Sequence, residues 1–515
     1  MLNSIKVSLK DTLIYGLGNI AVKIVGLLLI PLFSNPKFFS IEEFGVLGIL
    51  EISALVLTAS MASAMPQSLT RWFWDKEHKE NQKGIFFMSF ATQLVVSLLF
   101  CLFLIPLSRT FSVMIFSKPD WSRVITFVII GSGIQALNNI TNTLMRLQSK
   151  SVLYTTTNLF KLTFVLSLSL YFIISKKMGL EGYYLAQAIG NALLVIALSG
   201  YTIKNSRIFF SKDIFRSMNA YGFPLFLANI SAVALNVVDR YSLNSSAFHK
   251  SSLNSLDVLK SVALYTLAFK ITSVLKLAIV DSMKLALGPM MIKRIGSPDI
   301  KRFYSKVLLY SSYVLMFAVI GVSLFSFELI KVIAKSKQFW DAVVIIPILS
   351  MSVVFVNMKD LTVYGLHVVK KTRIIGMIVV FSTLLSVCLN YLLIPIWDIT
   401  GAALATLLAQ FVFWLVSYYY SQKAFYVPYE IRKIFTLVIV GAALSFSCLL
   451  LNKMDLIPRL IIKTGCLISF PFILYLFKFY EPVELQAIRG FTSKWSNIKN
   501  LKDNLKSLKG LTDDE

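Results

Sequence analysis

Charge is scarce in this sequence. Only 15% of its 515 residues are charged, and Asp and Glu number 26 against 51 Lys and Arg. A soluble chain of this length reads as about three domains with roughly a quarter of its residues charged. So few charges cannot cover a water-facing surface, which excludes a soluble enzyme; the high apolar content excludes a disordered chain. Cysteine is scarcer still: Cys101, Cys388, Cys448 and Cys466 lie in apolar runs, with no CxxC pair and no metal-ligand spacing. His78, His249 and His367 stand far apart and form no catalytic or metal motif. Long loops are missing too: no gap between apolar runs is long enough to fold as a domain. What is abundant is hydrophobic side chain, 56% of the chain, with a mean hydropathy of +0.72. The net charge of +25 is scattered between apolar runs, so the partner it points to is lipid and not nucleic acid.

Stretches of about 20 apolar residues, enough to cross the hydrocarbon core of a bilayer, recur along the whole chain. They fall near 12–33, 44–66, 84–106, 122–145, 152–175, 180–203, 219–243, 259–288, 302–330, 341–366, 373–396, 399–421, 433–451 and 458–479, fourteen in all. The first is too long for a signal h-region and has no small-residue cleavage site, so it is expected to remain as a span. With the N-terminus inside, 29 of the Lys and Arg fall on the cytoplasmic side, 12 outside and ten within spans. That bias predicts both termini in the cytoplasm. After Pro482, Leu501, Leu505 and Leu508 recur at helical spacing among Lys499, Lys502, Lys506 and Lys509. This is either a solvated helix or an amphipathic one lying on the anionic leaflet.

The chain also repeats itself. Leu180-Glu181-Gly182-Tyr183-Tyr184-Leu185-Ala186 opens the sixth span, and Ile399-Thr400-Gly401-Ala402-Ala403-Leu404-Ala405 opens the twelfth; Lys150 has a counterpart in Lys370, and Tyr15-Gly16 in Tyr221-Gly222. The expected architecture is therefore an all-α integral membrane protein with two pseudo-symmetric six-helix lobes around a central cavity. Its parts are a lobe over 1–206, a second over 207–425, two extra helices over 426–480 and a basic tail over 481–515.

A charge at the bilayer centre costs about 2.5–3.5 kcal/mol on insertion scales. Lys260, Lys463 and Lys478 lie toward helix ends and can snorkel. Lys23, Lys161, Arg240, Lys270, Lys276, Lys284 and Lys359 lie deeper, against the acids Glu51, Asp239, Asp281 and Asp360. At 100° per residue, Lys270, Asp281 and Lys284 share one stripe of the eighth span, and Lys276 lies off it. Pairing between helices, for example Lys270 with Glu51, is one reading of these charges. The excess of bases over acids supports another, a water-filled cavity for a phosphate or pyrophosphate.

Several segments resemble the oligosaccharide flippases of the multidrug/oligosaccharidyl-lipid/polysaccharide exporter superfamily. They are Gly18-Asn19 to Pro31-Leu32 with Glu42-Glu43-Phe44-Gly45, Tyr221-Gly222-Phe223-Pro224-Leu225 with Asp239-Arg240-Tyr241, and Ala263-Leu264-Tyr265 with Ala268-Phe269-Lys270-Ile271 up to Pro289. A further set is Lys370-Lys371-Thr372, Asn390 to Pro395 and Gly401 to Thr406. The resemblance covers about 10–425 and looks most like the O-antigen and capsule type. It implies a V-shaped pair of lobes alternating between inward and outward openings, with an undecaprenyl-pyrophosphate-linked glycan as cargo. In the related lipid II flippases basic residues on spans 1, 2 and 8 line the cavity; by that resemblance Lys23 and Lys270 can take the first and last places, and Glu51 departs from the second. Arg71 and Arg146 fall where the family keeps basic residues at the inner mouth.

The expected function is translocation of a lipid-linked oligosaccharide without covalent chemistry, cofactor or metal, with Lys23, Arg240, Lys270, Lys284, Arg71 and Arg146 as substrate contacts. Glu51, Asp239, Asp281 and Asp360 would carry a coupling ion or pair with the bases. The chain is expected to act as a monomer in the bacterial inner membrane, beside a polysaccharide polymerase and glycosyltransferases. A multidrug–cation antiporter of the same superfamily is the first alternative, weakened by Lys23 where such a transporter needs a carboxylate. A polymerase or ligase is the second, weakened by the short outside loops.

Overall fold

In a computed structural model the described residues are Gly26, 29–75, 80–245, 255–369, 371–452, 454–482 and 484–486; among them are helices and turns and no strand. Twelve of the helices are long and apolar enough to cross a membrane. The longest, Thr372–Ala424, has 53 residues, but Asp398 takes φ 48° and ψ −123° and breaks it. The chain doubles back there, so closely that a Cβ on Gly401 would lie 2.2 Å from the Leu393 carbonyl oxygen. Taken as two helices, it brings the crossings among the described residues to thirteen. The expected first span, 12–33, lies mostly outside the described residues, as do Lys370 and the Leu501 to Leu508 segment.

Local chemistry places the helix ends. Ile41–Met61 begins on a capping box, in which Ser40 Oγ accepts from the Glu43 amide at 3.2 Å and the Glu43 carboxylate accepts from the Ser40 amide at 2.8 Å. First-turn donors are thereby satisfied where the chain enters the apolar region. The helix stops before Ser63, whose φ is 46°, and Met65–Trp72 follows with Pro66 in its first turn. In the eighth span, Lys276–Asp281 is a π-helical turn. A π turn advances fewer degrees per residue than an α turn, so the constant spacing that groups Lys270 with Lys284 fails across it. The structure sends those two lysines to different neighbours.

Packing divides the helices into two lobes and a flanking pair. In the first lobe Ser122–Leu147 packs against Ile41–Met61, Gln82–Leu104 and Gly179–Ala197. In the second, Ile346–Thr362 packs against Thr372–Ala424 and Ile300–Leu324, with Lys212–Leu235 and Val238–Asn244 on the same hairpin. Ile431–Leu451 and Leu456–Leu476 lie together on the flank of Ile300–Leu324. An ion cluster fastens them. Lys463, 0% exposed, pairs with Glu328 at 2.8 Å and donates to Asn452 at 2.8 Å, and Arg459 pairs with the same Glu328 at 2.7 Å. Lys463 therefore does not snorkel, because a carboxylate from the short helix Ser326–Ile333 meets it inside the protein. Large apolar side chains such as Leu102, Phe103, Met114, Leu384, Leu450 and Ile461 are exposed around the bundle. A surface this apolar is stable only against lipid.

Candidate functional site

The seam between the lobes is closed at both ends. At one end Phe44 meets Phe339 edge-on with centroids 5.0 Å apart, the Lys335 amide donates to Ser34 Oγ at 3.1 Å, and Asn244 Nδ2 donates to the Ile115 carbonyl at 2.8 Å. The backbones touch here, since a Cβ on Gly45 would stand 2.1 Å from the Leu259 carbonyl oxygen. At the other end Ser68 Oγ donates to the Met218 carbonyl at 2.7 Å, and Gly222 leaves no room for a Cβ against Ala64 and Ser68. The exposed Arg71 lies over the Tyr221 ring at 4.6 Å, a cation–π contact across the seam.

Between these seals stands an ion pair. Glu51 of Ile41–Met61 and Lys270 of Ser255–Leu275 approach to 2.6 Å, with side chains 27% and 14% exposed. Two residues along the helix, Ser53 Oγ and the Tyr241 hydroxyl share a hydrogen bond of 2.8 Å across the same seam. A carboxylate and an ammonium contributed by opposite lobes are counter-ions that an outside charge can exchange.

Two further groups of intramembrane charges stay within the second lobe. The break between Leu235 and Val238 turns Asp239 and Arg240 into the second lobe, where both are buried. Asp239 accepts from the Tyr265 hydroxyl at 2.6 Å and from the Arg240 amide at 2.8 Å. The Arg240 guanidinium donates to the Asn236 carbonyl at 3.0 Å, lies 3.8 Å from the Asp239 carboxylate and covers the Phe269 ring at 4.4 Å. Asp360 receives Lys359 at 2.9 Å and Lys284 at 3.5 Å. Asp281 closes the π turn and is half-buried. Arg146 is exposed, with Nη2 donating to Thr143 at 3.1 Å. Lys23 lies outside the described residues.

The geometry thus unites Glu51 with Lys270, Asp239 with Arg240, and Asp360 with Lys284, while Arg71 and Arg146 stand apart from all three. Sequence reasoning gave no site role to Tyr241, Tyr265 or Ser53, whose hydroxyls complete these clusters. It also passed over Gln135, the partner of Lys161 at 2.7 Å. The spacing of Gln135, Asn139 and Asn142 at i, i+4 and i+7 was the available signal.

This is a two-lobed, all-helical membrane fold with a charged seam between the lobes. Superposed on a lipid II flippase, MurJ, in an inward closed conformation, the chain gives a TM-score of 0.71 at 14% identity, covering 91% of this chain and 100% of that one. An inward-facing multidrug resistance MATE transporter of the MOP superfamily gives 0.63 at 15% identity, covering 81% and 97%. An uncharacterized membrane protein of Methanocaldococcus jannaschii is 22% identical over 286 residues, 53% of each chain. The chain thus matches about half the length of that curated relative. The family follows from the sequence itself: residues 8–294 match the model for polysaccharide biosynthesis proteins, and the chain belongs to that family.

Proposed function

We propose that the protein is a flippase that carries a polyprenyl-pyrophosphate-linked oligosaccharide across the plasma membrane for surface polysaccharide synthesis. The observation that carries this reading is the Glu51–Lys270 pair at the lobe seam, beside the buried Arg240, in a member of a polysaccharide biosynthesis family. The lobes, 1–206 and 207–425, rock against each other. In the inward-open state the pyrophosphate displaces Glu51 from Lys270 and gains Arg240, with Lys23 and Lys284 as further contacts and Arg71 and Arg146 at the inner mouth. The undecaprenyl chain stays in lipid between helices, and rocking exposes the glycan outside. Asp239, Asp281 and Asp360 hold the bases in place or carry a coupling ion. No bond is made or broken, so the protein is not an enzyme in this scheme. It works as a monomer with both termini in the cytoplasm of a bacterial cell, fed by glycosyltransferases and drained by a polymerase.

Depletion tests the reading directly. Lipid-linked oligosaccharide should accumulate in the inner leaflet, and Lys270→Ala and Arg240→Ala should fail to restore export. If both variants export glycan like the wild type, the cationic-seam mechanism is wrong. A second reading, drug–cation antiport, draws on the MATE-like fold and on Glu51 as an acceptor for a cation. It requires expression to change drug resistance instead of surface polysaccharide.

A further inference from the structure

Lys161 is a deeply placed cation that the seam does not use. It sits near the middle of the span Ser151–Ser175, where an ionised side chain is costly and marks a function by default. Among the described residues no carboxylate pairs with it. Its stem passes Gly190 of the next helix, 4.0 Å from where a Cβ would stand, and its ammonium donates to Gln135 Oε1 at 2.7 Å. Gln135 donates in turn to Asn139 Oδ1 at 2.9 Å, and Asn158 Nδ2 stands 3.5 Å from Asn142 Oδ1. Gln135, Asn139 and Asn142 share one face of Ser122–Leu147, with Asn158 and Lys161 one turn apart on the facing helix. The other faces of Ser122–Leu147 are committed: Ser132 reaches the Ala54 carbonyl at 3.4 Å and Asn138 the Asn191 carbonyl at 3.0 Å. Four amides and one ammonium therefore form a polar strip inside the first lobe, bonded chiefly to one another and to their own backbone.

We propose that this strip is a second ligand site, receiving an acidic sugar of the lipid-linked oligosaccharide, with Lys161 neutralising a uronate-type carboxylate. Gln135, Asn139, Asn142 and Asn158 exchange their mutual hydrogen bonds for bonds to sugar hydroxyls. The inference rests on the flippase reading above and assigns it a substrate class. Charge decides against pyrophosphate here: one ammonium balances one negative charge, and a multiply charged phosphate suits the clustered bases of the second lobe. Hydrogen-bond chemistry agrees, because amides both donate and accept, as hydroxyls do, whereas phosphate oxygens only accept. A neutral glycan would leave the Lys161 charge without a counter-ion in a desolvated site.

The test uses the purified full-length chain in detergent, titrated calorimetrically with a glucuronate-containing trisaccharide, its glucose counterpart and inorganic pyrophosphate. The acidic sugar should bind the wild type about ten-fold or more tightly than the neutral one. Lys161→Gln should abolish that preference, Lys161→Arg should retain it, and neither should change pyrophosphate affinity. Equal binding of the two sugars by the wild type overturns the proposal, as does an unchanged preference in Lys161→Gln. A loss of pyrophosphate affinity in Lys161→Gln also overturns it, by placing the lysine in the phosphate site. Should Lys161→Gln not fold, as seen by circular dichroism, the wild-type comparison of the two sugars decides alone. Pyrophosphate binding that survives both Lys270→Ala and Arg240→Ala refutes the flippase mechanism, and the sugar preference is still read separately.

Discussion

Removing the charge of Glu51 should open the seam. At a charge separation of about 4 Å and an effective dielectric of about 20, two unit charges attract by about 4 kcal/mol. Partial desolvation takes back part of this. Exposed pairs retain about 0.2–1 kcal/mol, and breaking a buried pair costs about 3–5 kcal/mol. The Glu51–Lys270 pair, 2.6 Å long with side chains 27% and 14% exposed, falls between these limits, and about 2 kcal/mol is a fair working value. Glu51→Gln should then shift the closed-to-open ratio about 30-fold, so that about 100:1 becomes about 3:1. Spin labels report the change in a background lacking Cys101, Cys388, Cys448 and Cys466. Exposed Lys118 and Lys337 span one end of the seam, and exposed Thr70 and Phe223 span the other. Glu51→Gln should add a population of long distances at one of the two ends, and Lys270→Gln should do the same. The charge swap Glu51→Lys with Lys270→Glu should restore the short distances and still lose export, because the anion would meet a carboxylate on the second lobe. Unchanged distances in Glu51→Gln, or a swap as open as the single variants, would refute the reasoning.

Other perturbations act on the seals and the flanks. A Cβ on Gly45 would overlap the Leu259 carbonyl oxygen, so Gly45→Ala should part the backbones by about 1 Å and lengthen only the Lys118–Lys337 distance. Gly222→Ala, facing Ala64 and Ser68, should lengthen only the Thr70–Phe223 distance. Glu328→Ala leaves Lys463 and Arg459 buried without their counter-ion and should cost about 3–5 kcal/mol, read by thermal unfolding in detergent. At the far end of the same helices, the Glu481 carboxyl is held below its ordinary value by its hydrogen bond to Lys306. Burial pushes the Glu430 carboxyl up, but hydrogen bonds to Lys306 and Lys433 leave it below its ordinary value. A carboxyl with a lowered folded pKa contributes stability that is complete above the unfolded value, about 4.3, and is lost as pH falls through the folded one. Exchange protection of the Glu481 and Leu485 amides, corrected for the intrinsic pH dependence of exchange, should thus stay flat from pH 8 to about 5 and fall only below about 4; a loss of protection between pH 6 and 8 would contradict the assignment.

The sequence made the spans legible because the bilayer sets their length and excludes charge, whatever the neighbouring helices do. The pair Glu51 and Lys270 was also within reach, as two opposite charges deep in different spans. Lys463 was misjudged because its depth within its own helix says nothing of Glu328, which arrives on a separate short helix after Ile300–Leu324. The stripe on the eighth span failed for a different reason. No residue type in Lys276–Asp281 announces a π turn, yet six residues of it re-aim every side chain beyond. The Gln135 strip was overlooked because amides carry no net charge and barely lower the hydropathy of a span.

Counting bases against acids treats all intramembrane cations alike, and the contacts separate them by what a movement of the lobes would do. Asp360 with Lys284 and Lys359 joins helices of the second lobe, and so does Asp239 with Arg240 and Tyr265. Glu328 ties the last helix to that lobe's flank. None of these bonds crosses the seam, so rocking leaves them whole. Among the described residues the Glu51–Lys270 pair does cross it, and parting the lobes frees one charge of each sign. Their surroundings then select the cargo. Lys270 follows Phe269, whose ring carries the buried Arg240 guanidinium, so on the flippase reading an anion would meet the freed Lys270 with a second cation behind it. Glu51 sits near the hydroxyls of Tyr183 and Tyr184 and offers a cation one carboxylate. The open seam should therefore favour a multiply charged anion over an organic cation. Competition measures this: inorganic pyrophosphate should protect Lys270 from amine-directed labelling, and a quaternary ammonium drug at equal concentration should not. Protection by the drug alone would move the argument to the antiporter.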